Sequence, residues 1–300
     1  MTSKIRNWVI TLLILASPFL LFLGLLIFWN AEPLPPVAPL PNPNGYEDLV
    51  KAGRVIKSMA GYDQTNEQQL AELVATNAEA LRLLQAGLSN QCRVPLQFSE
   101  NYMANHLNDL ASFKRLAQVL AAEGRLAEME GRPADAARSY LNALHLGTES
   151  ARGGVIIDQL VGTAIEAIGV AGLQKLVDRL DAKSCREIAA TLETLDAQSQ
   201  TWNEVLQQER DWSRRSYPGL RNELGRLIIR SSMNKALQKG EEKFNKEQMK
   251  SRQLTIDLAA RAYELEKGHP PASVADLVPD YLQAVPQDPF TGTNMVYPPQ

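Results

Sequence analysis

Residues 116–147 read LAQVLAAEGRLAEMEGRPADAARSYLNALHLG. Apolar residues recur there at three- and four-residue spacing on both sides of Gly131-Arg132-Pro133. That periodicity belongs to two helices, and glycine followed by proline at a helix start supplies the turn between them. The small residues Gly124, Ala136 and Ala143 let the helices approach closely, and Tyr140 fills the space beside them. This is an antiparallel helical hairpin, and it sets the expectation for the whole chain: all-α, with helices packed in antiparallel pairs.

The same periodicity extends outward in both directions. Tyr46, Leu49, Val50, Gly53, Ile56 and Met59 make a first amphipathic helix, with Asn44 as cap and Glu47 three residues on. Asn66 with Gln69 opens a second, expected to run unbroken through Leu70, Leu73, Val74, Asn77, Leu81, Leu84 and Leu88. A loop comes next over 89–99, where Pro95 prevents an easy helix, and a third helix is expected from about Asn101. Val155 to Leu180 is very apolar, but Asp158, Gln159 and Glu166 interrupt it, so it reads as a buried core helix bent or divided at Gly169 and Gly172. Ser184 with Glu187 caps the next helix, expected to continue past Trp202 to Tyr217-Pro218-Gly219. Leu254, Leu258, Ala262 and Leu265 form a last helical stripe, stopped by Gly268. Beyond it lie a turn at His269-Pro270-Pro271, a helical turn over 273–278, a tight turn at 288–292 and a short strand over 294–297.

A different signal stands near the N-terminus. From Trp8 to Trp29 the chain is almost wholly apolar, and its roughly 22 residues span about 33 Å as a helix, enough to cross a bilayer. Lys4 and Arg6 precede the run and no acidic residue appears before Glu32, which holds the N-terminus in the cytoplasm and places the chain after Trp29 on the exported side. Phe28-Trp29-Asn30 offers no small-x-small cleavage site, so the run reads as an uncleaved signal-anchor in the inner, cytoplasmic membrane. Residues 31–44, AEPLPPVAPLPNPN, hold six prolines and form a semi-rigid spacer. The expected organisation is a cytoplasmic stub and transmembrane anchor over 1–30, the spacer over 31–44, a helical domain over 45–252, and a C-terminal helix with a small irregular tail over 253–300.

Removing Lys4 and Arg6 from 31 basic residues leaves 29 against 34 acids, so the exported part carries −5, which excludes nucleic acid as its general partner. Residues 210–252 run against that balance, with twelve Lys and Arg against five acids. Arg214, Arg215, Arg226, Arg230, Lys235 and Lys239 make a candidate contact face for anionic headgroups or an acidic partner; a solvated helix face is the plainer alternative. Cys92 and Cys185 are the only cysteines. An exported compartment allows one disulfide between them, and two buried free thiols are the other reading. With three scattered histidines they make no zinc motif, and no metal or cofactor is expected.

Three resemblances add to this reading. Gly124, Gly131, Ala136, Tyr140, Ala143 and Leu144 fall where a tetratricopeptide repeat places its small and large residues, so 116–147 resembles a single such repeat. Tyr263, Gly268, Pro271, Leu277, Val278, Pro279, Tyr281, Leu282, Val285, Pro286, Asp288, Pro289, Phe290 and Gly292 resemble the C-terminal region of the major pseudopilins of type II secretion. The resemblance implies a structural module, and the tail is expected to pack on the helical body by burying Tyr281, Leu282 and Phe290. The anchor lacks the early glutamate of a pilin-type helix, and the chain ends soon after Tyr297, so neither calcium binding nor assembly into a pseudopilus is expected. The layout as a whole resembles uncharacterised membrane-anchored helical proteins of planctomycete-type bacteria, which implies no activity.

The chain has no Gly-x-Ser-x-Gly elbow, Gly-rich phosphate loop or His-Glu-x-x-His. His106 with Asp109 is the best local acid–base pair, and a surface hydrogen bond is its ordinary use. The expected function is therefore non-catalytic: a membrane-anchored envelope protein that binds or scaffolds other envelope proteins. An accessory component of a secretion or pilus-like system is the alternative that the tail suggests. An envelope hydrolase with a site assembled from distant residues is a third, separable by mutating His106 and Asp109.

Overall fold

The structure is a computed structural model; it describes Ser17 and residues 34–297 except 60, 61, 63–65, 100 and 219, with backbone alone over 220–233. The expected anchor at 8–29 lies outside the described residues, Ser17 excepted. Among the described residues there are nine α-helices, two short 3-10 turns and no strand, so the fold is all-α.

The first helix, α1 (Gly45–Arg54), starts where expected. The Asn44 side-chain oxygen accepts from the Tyr46 and Arg93 amides, and its side-chain nitrogen donates to the Arg93 carbonyl, so one cap also ties the loop after α3 to the start of α1. The expected second helix is two, α2 (Glu67–Thr76) and α3 (Ala78–Leu88). Asn77, read as part of a stripe, is the break: it is buried, accepts from the Lys57 amide and donates to the carbonyls of Ser58 and Leu73. Its bond to the Leu73 carbonyl competes with the helical ladder, and its bonds to residues 57 and 58 tie the break to the segment after α1.

The hairpin of α4 (Tyr102–Met129) and α5 (Pro133–Ala151) forms as its spacing predicts, with Gly131 at φ +70° in the turn. Against α5 lies α6 (Ile156–Gln174), running the other way: Gly147 meets Gly162, and Tyr140 meets Gly172. A Cβ on Gly172 would stand 2.3 Å from the Tyr140 ring, so these glycines serve close approach of an unbroken helix, not the expected bend at 169 and 172. By length and apolarity α6 is the one membrane-span candidate among the described residues. Its Asp158, Gln159, Gly162 and Thr163 are all buried in the protein, as befits a core helix.

The next helix, α7 (Ala182–Gln198), is capped by Asp181, whose carboxylate accepts from the Ser184 amide at 2.7 Å; Ser184 itself lies inside the first turn. The helix stops at Ser199, and Thr201 with Glu204 forms a new capping box for α8 (Trp202–Ser216), so the expected continuous run is divided. The longest element is α9 (Leu220–Lys267), 48 residues or about 72 Å at helical rise. It passes through residue 252 without a break, so the expected boundary between helical body and tail falls inside a helix.

Two clusters make most of the core. One joins Tyr46, Leu49, Leu84, Phe113, Leu116 and Ile165 of α1, α3, α4 and α6. The other joins Tyr140, Leu173, Leu192, Leu258 and Ala262 with Leu277, Tyr281 and Leu282 of the tail. The tail therefore packs on α7 and α9, but Phe290, expected to be buried, is 53% exposed. It sits on a turn closed by Asp288, which accepts from the amides of Phe290 and Thr291 and so directs the ring outward. The expected strand over 294–297 is only an isolated bridge between Gln287 and Asn294.

Candidate functional site

His106 does not use Asp109. It lies on the buried side of α4 and meets Asp158 of α6 at 2.5 Å, with both side chains almost completely enclosed. The second oxygen of Asp158 accepts from the Val155 amide at 2.7 Å, which caps α6. Tyr102 stacks on the imidazole at 4.8 Å and Trp212 of α8 closes the group, with the indole nitrogen donating to the Gln97 carbonyl. Asp109, one turn away, is near Arg54 instead. This pair ties two helices together from within the core, and the 52 residues separating its members hid it from local spacing. Its one visible sign was an acidic residue shortly after Gly153-Gly154, a helix-start position.

Glu166, half-buried, is the second acid of α6. It accepts from the Thr148 hydroxyl at 2.9 Å across a polar gap of about 30 Å³, room for about one water, shared with Gln159, Asp196 and Gln248. Burial, with Asp196 and Glu247 nearby, pushes its pKa up to about 7. The group holds or releases a proton near neutrality, but the gap is too small for an organic substrate.

The two cysteines lie in different core clusters, both buried and both free, so the disulfide reading gives way to two enclosed thiols. Burial pushes the Cys92 thiol up to about 12 and the Cys185 thiol up to about 11, away from the thiolate that nucleophilic chemistry requires. No group of three metal-ligating side chains occurs among the described residues.

The basic segment resolves into parts. Arg214 and Arg215 are half-buried on α8, with the Arg215 guanidinium over the Phe98 ring at 5.5 Å, whereas Lys235 and Lys239 are exposed on α9. The side chains of Arg226 and Arg230 lie outside the described residues. Lys235 and Lys239 continue into Lys243, Lys246 and Lys250, all exposed. At 3.6 residues per turn the five fall within an arc of about 80° and along about 22 Å of helix. The opposite side of α9 packs inward: Gly240 lies under Trp202, and Phe244 meets the same ring at 5.7 Å. Packing on one side thus fixes which side the lysines present. Lys250 pairs with Glu247 at 2.9 Å, and the other four form no ion pair among the described residues. The spacing 235, 239, 243, 246, 250 was open to sequence reading, but only as part of a broader basic run.

Comparison of the chain with protein-family models, with curated proteins and with solved structures finds no match.

Proposed function

We propose that the chain is a non-catalytic, single-pass membrane protein whose exported helical domain binds acidic envelope proteins and holds them near the bilayer. Residues 8–29 anchor it with the N-terminus in the cytoplasm, and the proline-rich spacer carries the domain clear of the headgroups. The observation that carries the binding role is the lysine stripe on α9. Four cations with no ion pair among the described residues share one rigid, outward face, in a chain whose exported part is otherwise acidic, and this suits a partner of opposite charge. The packing of α9 on α6 and α7, with Gly240 and Phe244 against Trp202, supports a rigid framework behind that face.

The test is crosslinking in intact cells of the full-length chain and of a K235E/K239E/K243E/K246E variant, followed by identification of the proteins each brings down. A reproducible set of acidic envelope proteins that the variant loses supports the reading. The same set with both chains, or nothing above background, refutes it. A set made of secretion or pilus components would favour the accessory role that the tail resemblance implies.

A further inference from the structure

A cleft of about 710 Å³ opens between the loop after α3, the end of α5 and the end of α7, with Pro39, Leu40 and Pro41 along one edge. Its volume is that of a small-ligand site, where about 300–1,000 Å³ is usual. Three charged groups stand in it. Glu149 is consumed: its carboxylate accepts from the Cys92 amide at 3.1 Å and pairs with Arg152. Arg152 is also held by the Gln198 carbonyl and side-chain oxygen. Arg93 forms no ion pair among the described residues; its backbone is fixed by Asn44, and its stem and the near side of its guanidinium lie along Gly153. The cleft therefore presents one uncompensated positive charge on a held side chain.

We propose that this cleft binds an extended peptide segment carrying a carboxylate, with Arg93 as the anion-pairing residue. One free guanidinium matches one monoanion, and its planar fork suits a carboxylate held by two hydrogen bonds. The prolines at the edge offer carbonyl acceptors and no amide donors, which suits the N–H groups of a peptide backbone. Gln91 and Gln198 supply side-chain amides that both donate and accept. His145, in the same cleft, has its pKa lowered chiefly by burial, so at neutral pH the imidazole is uncharged and available as a hydrogen-bonding group.

The site is independent of the lysine stripe and is tested separately. The full-length chain in detergent micelles is dialysed to equilibrium against a pool of acetylated tetrapeptides with free C-termini and against the same pool amidated, and the retained peptides are read by mass spectrometry. The expected result is retention of carboxylate-bearing members: the free-acid pool, and in the amidated pool only members containing Asp or Glu. Retention from the first alone places the anion at a chain terminus, and retention of the Asp- or Glu-containing amidated members as well shows that a side-chain carboxylate also serves. Arg93→Met, which keeps the stem on Gly153, is expected to weaken retention about ten- to hundred-fold, the worth of a charge-assisted hydrogen bond. Independently of any variant, excess sodium acetate displaces the pool and equimolar sodium chloride does not. Equal retention of peptides without a carboxylate, no retention, or retention unmoved by both Arg93→Met and acetate overturns the proposal.

Discussion

Tyr281 donates its hydroxyl to Glu266 at 2.7 Å, joining the C-terminal tail to the last turns of α9. Arg186 of α7 completes the join: it pairs with the same Glu266, donates to the Asp280 carbonyl at 2.8 Å and lies over the Tyr281 ring at 4.7 Å. Three elements thus meet at one aromatic side chain, and Leu277 and Leu282 on either side are buried in the core beneath. The tail is part of the fold. Removing residues 269–300 exposes the α7–α9 surface and lowers Tm, and Leu282→Ala alone costs about 2–5 kcal/mol in urea unfolding. An unchanged melt after the deletion would contradict this packing.

The His106–Asp158 pair gives a second expectation. Both members are enclosed, so removing one leaves the other's polar group without a partner in the core. His106→Ala and Asp158→Ala are each expected to cost about 3–5 kcal/mol in equilibrium unfolding. Asp158→Ala is the worse of the two, because the Val155 amide also loses its acceptor. Since the two side chains act on each other, the double variant should cost clearly less than the sum of the singles. Additive costs would mean that the pair is not coupled.

Glu166 makes stability depend on pH. Burial raises its folded-state pKa to about 7 from an ordinary 4.5, so the folded chain binds this proton more tightly than the unfolded chain does. Its contribution is fully present below pH 4.5 and is lost as pH rises through 7. The size is about 3 kcal/mol at most across that window. Glu166→Gln keeps the acceptor for Thr148 and removes the titration, so its unfolding free energy should lose this slope and exceed that of the parent chain at pH 8. Identical pH profiles for the two chains would rule the mechanism out.

Sequence range decides which features can be read before folding and which stay hidden. The α4–α5 hairpin is legible because its signals are local: periodicity, a glycine in the left-handed region at 131, and Pro133 at a helix start. Asn77 is misread because an asparagine on an apolar stripe looks the same whether it continues a helix or, as here, turns its side chain back on the backbone. Gly169 and Gly172 look like flexible points because their neighbours across the helix interface, Tyr140 and Leu144, lie about thirty residues earlier. Asp158 stands out as a polar residue in an apolar run, but His106 lies among Asn105, Asn108 and Asp109, and nothing local pairs the two. The cleft is less legible still, because Arg93, His145 and Gln198 come together only once α3, α5 and α7 have packed.

The cysteines offer the most direct check of that packing. Cys92 sits with Val94 and Leu88 in the cluster around α1 and α3, while Cys185 sits with Leu176 and Ala189 in the cluster around α7 and α9. Neither is exposed, and burial holds both as protonated thiols at neutral pH. A thiol-reactive chromogen applied without reductant should therefore find two thiols in the denatured chain and close to none in the native chain. Denaturant sets the two apart if the clusters open separately, with labelling of one cysteine preceding the other; simultaneous labelling means that both clusters belong to one cooperative unit. No thiol in the denatured chain would mean that a disulfide joins them, which their placement in separate clusters of the structure contradicts.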